Sequence, residues 1–395
     1  MWLILGIVAG AFTSVTVVAL TASLAMATAA VLLSHRHPLF QSLAIAVAVL
    51  LVGATLAARQ RDAINRSGLS VRQWLQAEKE PDAGTLAGRS RSFFLQQRQR
   101  LLTHYHQQGL EGETYQLVAA MTLGDKKAIG QDVRHVYNVS GASHVLALSG
   151  LHMGIIYALL TVLTMGRRRR ILTQTVLILA IWAFVLLVGM PASAIRAATM
   201  LSLYGLLSLG YREKASLNAL AFTAIVMLVV SPYILFDVGF QMSYLAVLSI
   251  LVWTPVMDGW LSSAFRQRHR LVRLLWGLTT VSLAAQLGVA PLIAYYFGRF
   301  STYFLLTNFI AVPAVTIILW MALATLMIAP LAPLLAAVVG GLNTALGFIV
   351  RLPGASIEGL HPTLLQILLV YILSLCIYWL LCMVKGIQVS RVSQS

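Results

Sequence analysis

Residues Ser143–Ile156 read SHVLALSGLHMGII and place two histidines, two serines and two glycines at the start of a long apolar run. A bilayer core holds no water that could bond such groups, so each polar atom there needs a protein partner or an aqueous path. Ser149 and His152 are three residues apart and share one face of a helix. Gly150 and Gly154 allow the helix to break or to pack closely. The stretch predicts a polar cluster within a membrane-embedded helix.

The composition around this stretch indicates a membrane protein. The chain has 395 residues, of which 59% are hydrophobic and only 10% are charged, whereas soluble domains carry about 25% charged residues. Apolar runs of bilayer length recur along most of the chain, so we expect an all-α polytopic membrane protein with about 10–12 transmembrane helices. The first run, residues 3–33, is too long for one simple span, and the sequence leaves open whether it forms one span or a helical hairpin.

Short loops rich in Lys and Arg alternate with loops that have almost none, and the positive-inside rule places the basic loops in the cytoplasm. The basic loops are Arg167–Arg170, Tyr211–Lys214 and Arg266–Arg273, and the cation-poor loops are Gly189–Ala194, Ser231–Asp237 and Gly298–Thr302. We therefore expect a multi-pass protein of the bacterial inner (cytoplasmic) membrane. Its predicted parts are N-terminal transmembrane helices (1–58), an extracytoplasmic basic and amphipathic segment (59–142), a transmembrane domain (143–385) and a cytoplasmic tail (386–395).

The extracytoplasmic segment contains a stretch, Leu86–Gly109, that is basic and has no acidic residue. Aromatic and leucine side chains alternate with its cations, so the pattern predicts a basic amphipathic helix. Anionic lipid headgroups and a nucleic-acid backbone with aromatic stacking both suit such a helix. The candidate contact residues are Arg89, Arg91, Arg98 and Arg100.

The histidine stretch leaves several chemistries open. His144 lies about two turns before His152, and the cluster suits a structural or pore-lining role. Nucleophilic catalysis by Ser149 and His152 would need an acid to orient the ring, and none is near in sequence. A metal site would need three ligands at helical spacing. The phosphate-binding pattern GxxxxGK[ST] is absent from the sequence, so ATP hydrolysis at such a site is not expected.

Arg196 is a permanent cation about one turn inside a predicted span that opens at Pro191, where Ser193 suits the position of a helix cap. Arg196 either extends to the membrane interface or faces the bundle interior, where its guanidinium could bind phosphate in a bidentate manner.

Further polar side chains lie in apolar runs and need partners. We expect Asp237 to cap a helix and the amides to bond between helices or to line a path. These candidates are Asp237, Gln241, Gln286 and Asn308.

Five segments together resemble the competence domain of the ComEC family of DNA-uptake channels, in order and in spacing. They are MTLGD (121–125), SGASHVLALSGLHMG (140–154), GMPASAIRA (189–197), DVGFQMSYLA (237–246) and QLGVAPLIAYYFGRFSTYFLLTNF (286–309). The resemblance implies a channel that passes single-stranded DNA into the cytoplasm, with no cofactor or metal. It also implies a DNA-receptor protein, a cytoplasmic helicase or translocase, and membrane lipids as partners.

Two departures from the family pattern affect this expectation. Many members have a larger extracellular region and a C-terminal metallo-β-lactamase-like domain with an HxHxDH motif, which this sequence lacks. We therefore expect no enzymatic activity here; either a separate nuclease degrades the complementary strand, or the sequence is part of a longer chain or a short member of the family. A small-solute or lipid transporter on the same bundle is the alternative function, and a membrane enzyme that uses His152 with Asp237 is a third.

Overall fold

The structure, a computed structural model, describes residues 1–12, 22–23, 26, 38–68, 70–71, 73–74, 86–164, 170–209 and 216–384. In these residues the fold is helical apart from one two-stranded ribbon, as the sequence predicts. The possible hairpin within 3–33, the basic loop Tyr211–Lys214 and the tail after residue 384 lie mostly or wholly outside the described residues.

The helices and strands are numbered here along the chain. The first eight helices are α1 (Trp2–Phe12), α2 (Pro38–Ser67), α3 (Leu86–Gln107), α4 (Gly112–Leu123), α5 (Gln131–Val139), α6 (Ser143–Leu146), α7 (Gly150–Thr164) and α8 (Arg170–Leu187). They are followed by α9 (Ala192–Leu209), α10 (Ser216–Val230), α11 (Val238–Asp258), α12 (Ser263–Arg268), α13 (Arg270–Phe297), β1 (Arg299–Ser301), α14 (Phe304–Thr325), α15 (Ala332–Arg351), β2 (Ser356–Glu358) and α16 (Leu364–Val384).

Six helical stretches among the described residues are long and apolar enough to cross a membrane: Ser42–Ser67, Val238–Asp258, Arg270–Phe297, Phe304–Thr325, Ala329–Arg351 and Leu364–Met383. Four shorter apolar helices accompany them, at Trp2–Phe12, Gly150–Val162, Ile171–Leu187 and Leu217–Val230. The chain is therefore an all-α polytopic membrane protein. The total of about 10–12 spans stays a prediction.

The chain divides into two compact units. The first comprises Met1–Asp82 and Ala221–Gln241, and the second comprises Ala83–Leu220 and Met242–Ser395. Helix α2 runs without a break through residue 58, where the sequence analysis places the end of the N-terminal membrane part.

In the first unit, glycines let α1 and α2 approach at backbone distance. A β-carbon added at Gly6 would lie 1.9 Å from the Leu50 carbonyl oxygen, and one at Gly10 would lie 2.1 Å from the Ala54 oxygen. Gly6 and Gly10 are four residues apart, the small-xxx-small spacing that brings membrane helices together. Gly53 completes the contact from α2, since its β-carbon would lie 2.5 Å from the Leu3 oxygen.

A buried amide in α2 fixes the turn that precedes α11. Gln60 donates to the Ser231 hydroxyl at 3.1 Å and accepts from the Tyr233 backbone N–H at 3.0 Å. The turn itself is a 3₁₀-helix, Pro232–Phe236. A buried amide with both ends bonded fixes one arrangement of the backbone around it.

In the second unit, one hydrophobic core is formed by helices of the predicted extracytoplasmic segment together with two candidate membrane spans. Helix α4 is buried from Leu117 to Leu123. It packs in one cluster with α14 residues such as Val315 and Ile318, and with α15 residues such as Val339. The Tyr137 hydroxyl donates to Asn343 Oδ1 at 3.0 Å, and Thr307 donates to the Ser140 carbonyl at 2.7 Å. Residues 86–142 thus share their core with α14 and α15.

The ribbon connects the end of α13 to the start of α16. Strands β1 and β2 pair antiparallel with Arg299 opposite Glu358, and the Leu360 N–H donates to the Gly298 carbonyl at 2.9 Å. Away from the ribbon, the two flanking helices also contact each other: the Tyr371 hydroxyl of α16 donates to the Gly288 carbonyl of α13 at 2.7 Å. These bonds fix the chain on both sides of α14 and α15.

The far end of α14 contacts the C-terminal end of α3. Tyr105 donates its hydroxyl proton to the Ala322 carbonyl at 3.1 Å, and His104 Nε2 lies 3.3 Å from the Leu326 carbonyl oxygen. If α14 crossed the whole bilayer, the turn that follows it would lie on the membrane face opposite to the one predicted for the extracytoplasmic segment, residues 59–142. That turn, 326–331, carries no charged residue, unlike the loops that the sequence places in the cytoplasm.

We therefore predict that Gln107→Cys and Met327→Cys, each made in a chain with Cys376 and Cys382 replaced by Ala, react with an impermeant thiol reagent from the same membrane face. Gln107 is exposed next to His104, and Met327 is 90% exposed next to Leu326. Labelling of intact cells and of inverted vesicles measures the face. Reaction of the two cysteines from opposite faces would contradict the contact between α3 and the end of α14.

Candidate functional site

Three of the sequence segments singled out above meet at one place in the second unit. Helix α4 ends at Gly124, whose φ of 72° closes the helix in the left-handed conformation. A β-carbon at Gly124 would lie 2.6 Å from Leu148 Cδ1 and 3.6 Å from the Val188 carbonyl oxygen. Segment 121–125 therefore contacts both the histidine stretch and the end of α8.

The histidine stretch is a broken helix. Helix α6 has only four residues, the backbone at Ala147 is extended, and α7 begins at Gly150. The break confirms the expectation drawn from the glycines. Because it separates the two histidines, they do not lie on one continuous helix. His144 is exposed on α6 and its Nδ1 donates to the Gly141 carbonyl at 3.1 Å.

The structure brings Ser149 and His152 together, as their spacing predicts. Ser149 Oγ lies 3.0 Å from His152 Nδ1, and the Ser149 backbone N–H donates to the same nitrogen at 3.4 Å. Because Nδ1 accepts from a backbone N–H, the neutral ring carries its proton on Nε2. His152 is fully buried, and in the part of the chain that is described its Nε2 has no hydrogen-bond partner. No carboxylate among these residues orients the ring for catalysis.

The turn between α8 and α9 closes against the broken helix. Gly189 has a φ of 84°, and Met190, at 57°, is the one non-glycine residue with positive φ in the described chain. Ser193 was predicted to cap α9, but this is wrong: its hydroxyl donates across the site to the Leu148 carbonyl. A carbonyl at a helix break has no partner within the helix. The Ser193 hydroxyl therefore donates to this carbonyl and does not cap α9. The expected helix start is confirmed, since α9 begins at Ala192 directly after Pro191.

Arg196 lies on α9 and is 3% exposed. The residues around it on the same helix, Ala194, Ala197 and Ala198, pack in one cluster with Leu148 and with α8 residues such as Val185 and Val188. An arginine that extends to the membrane interface keeps its head group accessible. The burial of Arg196 instead favours the other expectation, a side chain enclosed within the bundle.

Helix α3 closes this site from the side through an ion pair. Arg98 Nη2 lies 3.6 Å from Asp125 Oδ1, and both side chains are mostly buried, with 19% and 23% exposure. A β-carbon at Gly189 would lie 3.7 Å from Leu95 Cδ2 and 3.9 Å from Arg98 Nη1. Further along α3, burial raises the pKa of the Tyr105 phenol to about 12, so the hydroxyl that donates to α14 stays protonated well above neutral pH.

The remaining candidates do not join this site. Asp237 and Gln241 belong to the first unit, where Asp237 caps α11 as expected by accepting from the Phe240 N–H at 2.8 Å. The Gln241 amide donates to the Leu235 carbonyl at 2.9 Å. Asn308 bonds between helices, from Nδ2 to Ser282 Oγ at 3.1 Å, as predicted for the buried amides. Gln286 is half-buried on α13.

Sequence reasoning missed the two contacts that join the site. The partner of Asp125 lies 27 positions earlier and that of Ser193 lies 45 positions earlier, so no periodic pattern connects them. The one sequence signal for the second contact was Ser193 itself, a hydroxyl in an apolar run that has few hydrogen-bond acceptors nearby. In the described ranges, no group of three His, Cys, Asp or Glu residues is placed to hold a metal ion.

Comparison with known proteins gives a family match that covers this site. The family described as "Competence protein" matches residues 121–384, about two thirds of the chain. ComE operon protein 3 of Bacillus subtilis (strain 168) is 35% identical over 202 residues, which are 51% of this chain and 24% of that protein. No solved structure matches.

Two further relatives are also similar over only part of their length. An uncharacterized protein of Aquifex aeolicus (strain VF5) is 32% identical over 171 residues, 43% of this chain and 38% of that protein. The uncharacterized protein YcaI of Escherichia coli (strain K12) is 24% identical over 213 residues, 51% of this chain and 27% of that protein. The chain therefore matches well under half the length of each of these relatives.

We predict that Asp125→Ala detaches α3 from the site. Loss of one partner of a mostly buried ion pair should lower the free energy of unfolding by about 1–3 kcal/mol, because the other charge stays desolvated. Thermal unfolding of the purified protein measures the loss, and limited proteolysis within α3 reports the detachment. The reversed pair, Arg98→Asp with Asp125→Arg, should recover at least half of the loss. A reversed pair no more stable than the two single variants combined would show that the charges do not interact.

Proposed function

The chain belongs to the competence protein family, and from this membership we propose that it passes single-stranded DNA across the cytoplasmic membrane into the cell during DNA uptake. The chain supplies the membrane channel and carries out no reaction on the DNA. A DNA-receptor protein outside, a helicase or translocase in the cytoplasm and a separate nuclease would complete the process.

One observation supports this proposal more than any other: the family-matched segments 121–125, 140–154 and 189–197 converge on a broken helix inside a membrane protein. Helix breaks at membrane depth expose backbone groups and are tolerated where protein surrounds them or where they line a path. In transport proteins, discontinuous helices of this kind form the substrate site. The break at Ala147–Ser149, with Leu148 held by Ser193, is such an arrangement.

The polar groups near the break suit a phosphate chain. Arg196 is a guanidinium enclosed by protein, and this group binds phosphate oxygens in a bidentate manner. The neutral His152 ring presents Nε2–H, a donor that does not repel an anion and does not hold it as tightly as a cation would. A path needs both kinds of group, because a strand that moves must bind and also leave.

Deletion of the gene in its own host tests the function directly. We predict that a marked DNA fragment still binds at the cell surface but that its arrival in the cytoplasm, measured as protection from added nuclease after lysis of the outer layers, falls to background. The full-length gene supplied on a plasmid restores arrival. Normal arrival in the deleted strain would contradict the proposal and favour a small-solute or lipid transporter.

We predict that Arg196→Lys accumulates in the membrane at the normal level but transports DNA poorly. Lys keeps the charge but lacks the planar fork, so loss of a charged bidentate bond should reduce uptake about tenfold or more. Quantitative uptake, normalised to the amount of protein in the membrane, measures the effect. Arg351→Lys, on the exposed end of α15, is the matched control. Near-normal uptake by the Arg196 variant would remove this residue from the path.

A further inference from the structure

The apolar face of α3 packs against other parts of this protein. This packing bears on which of the two expected partners, lipid or nucleic acid, the helix can bind. Leu102 is 3% exposed and Tyr105 is fully buried, both within the core shared with α14 and α15. Leu95 faces Gly189 at the end of α8. A helix that binds a lipid surface inserts its apolar face between the acyl chains, and along these turns α3 has no such face to offer.

The opposite side of α3 carries an open polar stripe. Phe93, Gln96, Arg100, Thr103 and Gln107 follow one another at intervals of three and four residues, so they lie along one face of the helix. All five are exposed. A shallow cavity of about 490 Å³, largely open to the surface, lies on this face, and the residues that line it all belong to α3: Gln96, Gln99, Arg100, Thr103, His104 and Gln107. We call the five exposed residues the α3 stripe.

The α3 stripe has the chemistry of a single nucleic-acid strand. Four of its members (Gln96, Arg100, Thr103 and Gln107), with the neighbouring Gln99, offer amide, hydroxyl and guanidinium donors, and none of the stripe or cavity residues is acidic. Phosphate oxygens and sugars are bound by these groups. Phe93 is 55% exposed at the end of the stripe, where a ring can stack on an unpaired base. The stripe runs over 15 residues, 93–107, about 21 Å of helix, which suits a chain of phosphates better than a single one.

The structure also separates the four arginines that look equivalent in the sequence. Arg98 is directed inward and paired with Asp125. Arg91 is half-buried, whereas Arg89 is exposed and lies outside the cavity lining. Arg100 lines the cavity, with Nη1 3.4 Å from Gln97 Oε1.

We propose that the α3 stripe is a binding site for single-stranded DNA, in which Arg100 and the amides hold the backbone and Phe93 stacks on a base. This inference rests on the proposed function and names the surface that first receives the strand. The site recognises no sequence, because its contacts go to phosphates and to the flat faces of bases that every nucleotide has.

The test measures binding of a fluorescent oligothymidylate to the full chain in phosphatidylcholine nanodiscs, over a range of salt concentrations. Arg100→Gln should reduce the slope of log affinity against log salt by about 0.7, the change for one phosphate contact on a single strand. Arg351→Gln, at the exposed end of α15 and away from the α3 stripe, is the matched control and should leave the slope unchanged. Gln107→Leu should weaken binding about three- to tenfold at constant slope.

Phe93 distinguishes DNA from lipid. Phe93→Leu keeps an apolar side chain but removes the ring, so loss of stacking should weaken DNA binding about fivefold or more, and Phe93→Trp should restore it. If Phe93→Leu and Arg100→Gln bind DNA as the wild type does, the stripe is not the site, while the proposed function stands. If the same variants instead lose association with phosphatidylglycerol vesicles, the stripe binds lipid. A wild-type chain that binds no DNA overturns the proposed function together with this site.

Discussion

The hydrogen bond from Ser193 to the Leu148 carbonyl is the contact on which the second unit's polar site depends. A helix that breaks within a membrane leaves backbone groups without partners, and no water in the lipid core can replace them. The hydroxyl of α9 supplies the missing donor, so the break between α6 and α7 can persist beside α8 and α9. With the break in place, Ser149 contacts His152 at the start of α7, and Gly124 fits against Leu148. Without it, a continuous helix would place His152 elsewhere.

The second constraint is the core that α3, α4 and α5 share with α14 and α15. Helix α4 is buried from residue 117 to residue 123, where six of the seven residues are apolar, so its stability depends on packing against the rest of the unit. Its C-terminal end positions Asp125 to pair with Arg98. The packing of α4 therefore determines where α3 lies, and the position of α3 determines which of its faces is open. In this way the buried end of α4 sets which cations of α3 stay exposed.

Much of this fold could be predicted from the sequence, because its strongest signals are local. Apolar runs predict the helices, glycines allow a broken or closely packed helix in the histidine stretch, and Asp237 before an apolar run predicts a cap; the structure shows the break after residue 146 and confirms the cap. The role of Ser193 could not be predicted, since a cap and a cross-helix donor need the same residue type at the same position. Nor could the burial of α4 in a shared core be predicted, because its apolar residues show only that it packs, and the partners lie about 200 residues away.

Helix geometry explains why similar arginines come to differ. Successive residues rotate by about 100° around a helix axis, so Arg98 and Arg100 are separated by about 200°. One of them must face Asp125 when the other faces outward. Arg196, at 3% exposure, is closed to anything that has not already entered the protein. Arg100, in contrast, is exposed at the surface. Burial, and not the number of charges, decides which of these two cations is open to solvent.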